Sequence, residues 1–267
     1  MRWSPVVVVT GAASGIGSAV AHAYAARGAR VALLDVDETA LAALARELRG
    51  ASAHPCDVAS EAAVAAARDA VLDAHGAVNV LVCSAGVSAA GPFDAIPSDV
   101  FRRTMDVNFL GTVHACRAFL PPLRAAAARR EQAAIANVLS LFALFALPTK
   151  SAYVASKHAA KAFTEALGAE LHADGVRVTA VYPGATATAI ARRGWAADDA
   201  KKEMEADMLA RGLAPDVVAE RIVRGIEAGR ARVVVGRDTR AVELVSRVAP
   251  GLAQHVVRRL WRRVPFL

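Results

Sequence analysis

An apolar run, a glycine-rich turn and a helix-like segment follow one another at the amino terminus. Valines fill residues 6–9, residues 10–17 read Thr-Gly-Ala-Ala-Ser-Gly-Ile-Gly, and an alanine-containing segment continues to residue 24. Glycines let a backbone approach a pyrophosphate closely, and the first turn of a helix offers unpaired N–H groups and the positive end of its dipole. A bare glycine triplet is weak evidence, but a strand before it and a helix after it predict a dinucleotide-binding unit.

Apolar runs rich in β-branched residues alternate with alanine-rich segments along most of the chain. This alternation predicts a doubly wound, Rossmann-type α/β fold, with a parallel sheet and helices on both faces. The expected strands lie near Val6, Val31, Ala53, Val80, Ala134, Val176 and Arg232. A chain of 267 residues is long enough to bury the core of one large domain of this kind.

Several polar or small residues lie where a predicted strand gives way to a loop or helix. They are Gly11, Asp35, Gly86, Ser140 and Pro183. Ligands bind to parallel sheets outside the carboxyl ends of the strands. We therefore expect these residues to converge on one crevice.

Asp35 follows the second apolar run, residues 31–34, about one βαβ step beyond the glycines. An acid at this place accepts hydrogen bonds from both hydroxyls of an adenosine ribose, and its charge repels a 2′-phosphate. The next residue is Val36 and not an arginine that could bind such a phosphate. The sequence therefore favours NAD over NADP, although Asp35 taken alone also fits a solvated loop acid.

Tyr153 and Lys157 lie one helical turn apart in Tyr-Val-Ala-Ser-Lys, and Ser140 lies thirteen residues before the tyrosine. Residues four apart on a helix share a face, so a lysine ammonium beside a phenol is expected to lower the tyrosine pKa from its usual value of about 10. Tyr153 then becomes a candidate general acid and base. The other interpretation is an ordinary amphipathic helix with an exposed lysine.

With its Thr-Gly-x-x-x-Gly-x-Gly turn and Tyr-x-x-x-Lys pair, the chain resembles the short-chain dehydrogenase/reductase family, from about residue 6 to residue 236. The resemblance implies a mostly seven-stranded sheet and a set of catalytic residues, Asn108, Ser140, Tyr153 and Lys157. By the same resemblance, Ser140 holds the substrate oxygen and Tyr153 exchanges its proton. Lys157 also holds the nicotinamide ribose, and Asn108 supports a proton relay through water.

The resemblance also implies a set of cofactor contacts. Asp57 matches the acid that contacts adenine, and Pro183-Gly184 with Thr188 matches the loop that positions the nicotinamide carboxamide. The full expected set is Gly11, Ser14, Gly15, Ile16, Gly17, Asp35, Asp57, Val58, Ser84, Ala85, Gly86, Tyr153, Lys157, Pro183, Gly184, Thr186 and Thr188. The chain departs from the family where it reads Cys83-Ser84 in place of two asparagines, which puts local bonding around the cofactor in question.

The predicted mouth of the crevice is rich in apolar side chains. Those expected to line a substrate pocket are Phe93, Leu141, Phe142 and Phe145, although each one alone fits a core or subunit-interface residue equally well. Residues 190–212 mix apolar and charged side chains as a mobile lid would, and the family closes this stretch over substrate. We therefore expect interconversion of an apolar secondary alcohol and its ketone with NAD.

Two other functions remain open at this point. One is an NADP-dependent carbonyl or 3-oxoacyl reductase. The other is a catalytically silent, dinucleotide-sensing regulator, which is disfavoured because all four catalytic groups are present. By resemblance the protein is expected to form a homodimer or homotetramer.

The positive charge of the chain is concentrated at its carboxyl terminus. The whole chain carries 32 basic and 25 acidic residues, or +7, and residues 230–267 hold nine arginines against Asp238 and Glu243, which is also +7. We therefore predict a basic, amphipathic extension, 237–267, after a catalytic domain, 1–236. Such an extension fits contact with an anionic membrane surface, packing on another subunit or packing on its own domain. Nucleic acid is not expected, because no recognised binding motif accompanies the charge.

The cysteines and histidines indicate neither a disulfide scaffold nor a metal site. Three cysteines form an odd set, and His54 with Cys56 has no companion cluster at zinc-like spacing. The first residues show no secretory signal, and the longest strongly apolar stretch, 139–147, is too short to cross a bilayer. A cytoplasmic location is the expectation.

Overall fold

The computed structural model describes residues 4–264, with the side chains of residues 4–236 and most of those that follow. Its strands, in chain order, are β1 (Val6–Thr10), β2 (Arg30–Asp35), β3 (Ser52–Pro55), β4 (Val80–Cys83), β5 (Ala89–Ala90), β6 (Ala134–Val138), β7 (Arg177–Pro183), β8 (Trp195–Ala196) and β9 (Arg232–Val235). Seven of them form one parallel sheet in the order β3-β2-β1-β4-β6-β7-β9. This confirms the predicted fold class.

The helices are α1 (Gly15–Ala26), α2 (Glu38–Glu47), α3 (Glu61–His75), α4 (Ser98–Met105), α5 (Gly111–Ala128), α6 (Ser151–Glu170), α7 (Ile190–Arg193), α8 (Asp199–Ala210), α9 (Pro215–Glu227), α10 (Arg237–Val248) and α11 (Pro250–Leu260). Side chains of α1, α2 and α9 pack on one face of the sheet. Those of α3, α5 and α6 pack on the other face. The sheet is therefore covered on both sides, as a parallel sheet requires.

β1 shows why this part of the sequence folds at the centre of the sheet. Its five residues are all buried, and Val7 and Val9 contribute to the core on one face while Val8 contributes to the core on the other. Each valine buried in this way contributes about 1.5–3 kcal/mol. A run without polar alternation is therefore stable only between two covered faces.

The helix that carries Asn108 has an irregular turn at its centre. α4 and α5 are joined by a π-helical turn, Asp106–Leu110, so that one nearly continuous helix runs from residue 98 to residue 128. Such wide turns occur mostly as single insertions and are frequent at functional sites.

The carboxyl-terminal helices α10 and α11 follow β9 directly through Gly236. α10 packs against β9 and against the short 3-10 turn Leu141–Ala143. The division of the chain at residue 236 stays a prediction. Across residues 4–264, none of the helices is both long enough and apolar enough to cross a bilayer.

Candidate active site

A cavity of about 550 Å³ opens at the carboxyl edge of the sheet. It is lined by most of the expected cofactor residues, Gly11, Ser14, Gly15, Ile16, Asp35, Asp57, Val58, Ser84, Ala85, Gly86, Pro183, Gly184, Thr186 and Thr188. Ser140, Tyr153 and Lys157 line the same cavity, together with Leu141, Phe142 and Phe145. Gly17, Asn108 and Phe93 do not line it.

The glycine turn is packed so closely that side chains at two of its glycines would clash with neighbouring backbone atoms. Gly11 has a φ of +67°, and a Cβ atom there would lie 2.6 Å from the Cα of Ala85. A Cβ on Gly17 would lie 2.1 Å from the carbonyl oxygen of Gly11, so this glycine acts by packing α1 against the turn. Within residues 4–264 no side chain caps α1, and the first residues of the helix, Gly15 and Ile16, face the cavity. The turn is thus an open cradle at a helix amino terminus, which fits a phosphate group.

Backbone N–H groups fix Asp35 at the end of β2. Its Oδ2 accepts from the N–H of Ala13 at 3.0 Å and its Oδ1 accepts from the N–H of Asp37 at 3.1 Å. Val36 beside it is 61% exposed and also faces the cavity. The carboxylate is therefore held in place next to the glycine turn.

Asp57 is held at the same end of the cavity by Arg103, a residue that sequence reasoning missed. The Arg103 guanidinium donates to both carboxylate oxygens, at 3.0 and 3.3 Å, and the Ala59 N–H donates to Oδ1. Partial burial acts to raise the pKa of Asp57, but these hydrogen bonds outweigh it and lower the pKa. Arg103 lies 46 residues from Asp57 in the chain, so no local signal marks it.

Asn108 lies in the π-helical turn and is 1% exposed. Its Oδ1 accepts from the N–H of Val87 at 2.8 Å, and its Nδ2 donates to the carbonyl of Val87 and to the Ser156 hydroxyl, both at 2.9 Å. The side chain therefore ties the π-helical turn to the loop after β4 and to α6. Its role in a proton relay stays a prediction.

The loop after β4 is bonded differently from the expected pair of asparagines. The Thr10 hydroxyl oxygen accepts from the N–H groups of Ser84 and Ala85, at 3.1 and 3.3 Å. Cys83 is buried against Cys116. The contact with Cys116 and the burial both raise the pKa of the Cys83 thiol. Cys83 is therefore a neutral, packed thiol. Among residues 4–264, no three His, Cys, Asp or Glu side chains cluster as metal ligands.

Ser140 and Tyr153 both line the cavity. Ser140 follows β6 and its Oγ accepts from the N–H of Phe142 at 3.1 Å. Its hydroxyl also acts on the Tyr153 phenol and lowers the pKa of that group. The Phe142 ring meets the Tyr153 ring edge-on, with centroids 6.2 Å apart.

Lys157 lies beside Tyr153 as the spacing predicts, with its Nζ 5.8 Å from the ring centroid. It donates to the Val138 carbonyl at 3.0 Å. Burial nevertheless raises the pKa of Tyr153 to about 12, against the lowering effect of the Ser140 hydroxyl and with a further rise from Glu205. Burial lowers the pKa of Lys157 to about 8. The expectation that Lys157 brings the tyrosine pKa down is therefore wrong for this structure, because burial raises that pKa and the lysine is not among the groups that act on the phenol.

A buried ion pair that sequence reasoning also missed lines the same cavity. The Lys150 ammonium donates to Glu205 Oε2, and the two residues are 1% and 7% exposed. Lys150 immediately precedes α6, and Glu205 lies in α8. Burial lowers the pKa of Lys150, although the charge of Glu205 opposes the shift. In the sequence, Glu205 is one of many charges in residues 190–212, so nothing marked it as buried.

The apolar lining of the cavity differs from the predicted pocket at Phe93 and includes side chains outside the predicted set. Phe93 lies in a 3-10 turn, Phe93–Ala95, set between Pro92 and Pro97, and it is 76% exposed. This turn keeps Phe93 on the surface and away from the cavity, so its assignment to the substrate pocket is corrected. Leu147 and Val264, which were not predicted, line the cavity as well, together with Met208 and Leu209 from the segment 190–212 predicted as a lid.

Comparison with known proteins identifies the family. The short chain dehydrogenase family model matches residues 5–199. SadH of Mycobacterium tuberculosis is 38% identical over 261 residues, covering 94% of this chain and 93% of that protein. A D-threitol dehydrogenase of Mycolicibacterium smegmatis is 39% identical over 194 residues, covering 71% of this chain and 73% of that protein. The crystal structure of a short chain dehydrogenase/reductase from Burkholderia phymatum in complex with NAD superposes with a TM-score of 0.85 at 29% identity, covering 95% of each chain. This chain belongs to the short-chain dehydrogenase/reductase family of oxidoreductases.

Proposed function

We propose that this protein interconverts an apolar secondary alcohol and its ketone by hydride transfer with NAD, using Tyr153 as the general acid and base. One observation carries the proposal. Ser140 and Tyr153 line the same cavity as the glycine turn and Asp35, and the Ser140 hydroxyl acts on the Tyr153 phenol. Hydride transfer needs a proton donor and a dinucleotide site held close together in this way.

The residues of the cavity fit a nicotinamide dinucleotide. The glycine turn would hold the pyrophosphate, Asp35 the adenosine ribose, Asp57 the adenine and Lys157 the nicotinamide ribose, with residues 183–188 beside the carboxamide. A relative of similar fold binds NAD, which supports this class of cofactor. When bound, the nicotinamide ring supplies or accepts the hydride.

Tyr153 transfers the proton in both directions of the reaction. With a pKa of about 12, Tyr153 is protonated at neutral pH and is ready to donate its proton to a ketone oxygen. The Ser140 hydroxyl keeps that oxygen aligned with the phenol. In alcohol oxidation Tyr153 must first lose its proton, so we expect the rate of oxidation to rise with pH.

The preference for NAD is proposed from the charge at the end of β2. The fixed Asp35 carboxylate repels a 2′-phosphate, and Val36 beside it carries no positive charge. Arg103 also lines the cavity, but its guanidinium is already paired with Asp57. We therefore expect a higher kcat/KM with NAD than with NADP.

Asp35→Ala tests this preference. The variant should lose much of its kcat/KM with NAD and gain with NADP, because the repulsive charge is gone while the NAD ribose loses its acceptor. Glu38→Gln, which removes a nearby negative charge outside the cavity lining, is the matched control. Equal loss with both cofactors in Asp35→Ala would contradict the assignment.

The substrate is proposed to be apolar because the wall beside Tyr153 is aromatic and aliphatic. The Phe142 ring contacts both Tyr153 and Phe145, at centroid distances of 6.2 and 5.6 Å. α8 brings Met208 and Leu209 to the same cavity, in keeping with a lid over residues 190–212. The D-threitol dehydrogenase relative supports alcohol oxidation as the reaction class.

The test is turnover with a panel of apolar secondary alcohols and ketones, followed by the absorbance of the reduced nicotinamide. Tyr153→Phe should abolish turnover and leave NAD binding in place. Tyr24→Phe is the matched control, since Tyr24 is a buried tyrosine in α1 whose hydroxyl has no hydrogen-bond partner among the described residues. Unchanged turnover in Tyr153→Phe would refute the mechanism.

A further inference from the structure

The outer face of α10 carries an apolar stripe that no other part of the described chain covers. Ala241, Leu244, Val245 and Val248 lie at positions i, i+3, i+4 and i+7, and all four are exposed. Leu244 is 64% exposed and Val248 is 76% exposed. Aliphatic residues at this spacing form a continuous strip on a helix, and such strips on a protein surface mark interaction sites.

The opposite face of the same helix accounts for its attachment to the fold. Thr239 is fully buried and its hydroxyl donates to the Val235 carbonyl at 3.1 Å. Glu243 accepts a hydrogen bond from Arg232 at 2.8 Å. Packing on its own domain therefore explains the inner face of α10 and leaves the outer face unexplained.

A cluster of exposed arginines follows the stripe. Arg258, Arg259, Arg262 and Arg263 are all exposed at the end of α11 and in the 3-10 turn Trp261–Arg263. The Arg262 guanidinium lies over the Trp261 ring, 5.5 Å from its centroid. No Asp or Glu follows Glu243 in the sequence, so residues 244–267 offer no acidic side chain to pair with these arginines.

Charge decides which partner fits this surface. A second copy of this chain bound through a two-fold axis would gather the arginines of both patches in one interface, where no acidic residue after Glu243 could pair with them. Residues 1–229 carry 23 basic and 23 acidic residues, because all of the +7 excess lies in residues 230–267. An anionic lipid surface, in contrast, accepts the apolar stripe among its acyl chains and the arginines among its headgroups.

We propose that the outer face of α10 and the arginines of α11 and its following turn form a docking surface for anionic membranes. We call it the tail surface. It goes beyond the proposed reaction and does not depend on it. The tail surface also lies close to the candidate active site, because α10 packs against the turn Leu141–Ala143 and Val264 lines the cavity.

The test uses the full-length protein and vesicles of phosphatidylcholine, with and without phosphatidylglycerol, in a co-sedimentation assay. We expect binding to the vesicles that contain phosphatidylglycerol and much weaker binding to phosphatidylcholine alone. Arg258→Gln with Arg259→Gln should weaken partitioning about 30-fold, from two arginine contacts with the anionic surface. Added salt should weaken binding of the wild type more than binding of this variant.

Leu244→Gln with Val248→Gln tests the apolar stripe while leaving every charge in place. Both side chains are exposed, so the variant should fold and melt as the wild type does while losing vesicle binding. Arg46→Gln with Arg49→Gln removes two exposed arginines in and just after α2 and should bind as the wild type does.

Four outcomes would overturn the proposal. They are no binding of the wild type to anionic vesicles, equal binding to both kinds of vesicle, unchanged binding of the Leu244 and Val248 variant, and an equal loss in the Arg46 and Arg49 control. If the Leu244 and Val248 variant instead turns an oligomer into monomers in sedimentation velocity, without vesicle binding by the wild type, the stripe is a subunit contact and the proposal is also refuted.

Discussion

The buried ion pair between Lys150 and Glu205 gives a sharp test of how α8 is held over the cavity. The two residues are 55 positions apart, and their contact joins the start of α6 to the middle of α8. We would replace them singly, with Lys150→Met and Glu205→Gln, and together, with Lys150→Met and Glu205→Leu. The single changes leave one partner behind, whereas the double change removes both charges.

The burial of the pair sets the expected magnitudes. Because Lys150 is 1% exposed and Glu205 is 7% exposed, a charge left alone there is poorly solvated. Lys150→Met should lower the free energy of unfolding by about 3–5 kcal/mol, the usual loss when one partner of a buried pair is removed. Glu205→Gln keeps an oxygen that accepts from the ammonium, so about 2–3 kcal/mol is expected. The double variant should lie within about 1 kcal/mol of the wild type, because no buried charge remains.

Urea unfolding followed by tryptophan fluorescence measures these free energies. Arg124→Gln is the matched control, since it breaks an ion pair with Asp174 in which the side chains are 53% and 34% exposed. Breaking so exposed a pair should hardly change the free energy of unfolding. The reasoning is refuted if each single variant loses no more than the control. It is also refuted if the double variant loses as much as Lys150→Met alone.

The same carboxylate acts on Tyr153, the proposed general acid and base. The charge of Glu205 raises the pKa of Tyr153, so Glu205→Gln should lower that pKa. In the proposed reaction, the alkaline rise in alcohol oxidation would then move to lower pH. A profile of kcat/KM against pH checks this shift, and an unmoved profile would mean that the charge of Glu205 does not reach the phenol.

Two further predictions follow from burial and from close backbone contact. The pKa of Lys157 falls from its ordinary value of 10.5 to about 8, so between these pH values the unfolded chain holds a proton that the folded chain lacks, and stability rises with pH. Relative to Lys157→Met, the wild type should gain about 3 kcal/mol across this window in urea unfolding, and a loss with rising pH would contradict the sign. Gly17→Ala should cost about 1–3 kcal/mol and weaken NAD binding, because its Cβ would lie 2.1 Å from the Gly11 oxygen. Gly168→Ala, inside α6 with only ordinary contacts, is the control and should be neutral or stabilising.

Most of the fold was predictable because strong local patterns agree with one another. The run of valines at residues 6–9 forms a strand buried on both faces, and the glycine turn after it leads directly into α1. The end of each strand lies at the same edge of a parallel sheet, so residues such as Asp35 and Ser140 meet in one cavity although the chain separates them.

The residues that sequence reasoning missed depend on contacts between distant segments. Glu205 is buried only because α8 lies over the cavity and supplies Lys150 with a partner. Val264 reaches the cavity only because α10 and α11 follow β9 across the fold. The prediction for Phe93 was wrong in the opposite way. Its apolar side chain predicts burial, but the turn in which it lies leaves it exposed. Local composition contains none of this information.

The pKa of Tyr153 also depends on contacts that spacing alone does not give. Burial raises it, Glu205 raises it further, and among the described groups that act on the phenol the Ser140 hydroxyl lowers it. Removing that hydroxyl with Ser140→Ala should therefore move the alkaline rise of alcohol oxidation to higher pH, opposite in direction to the shift in Glu205→Gln. Comparing the two kcat/KM profiles separates a pKa effect from a general loss of activity, because a loss of substrate alignment lowers the profile without moving it. A shift in the same direction for both variants would refute the assignment of Ser140 as the group that favours the phenolate.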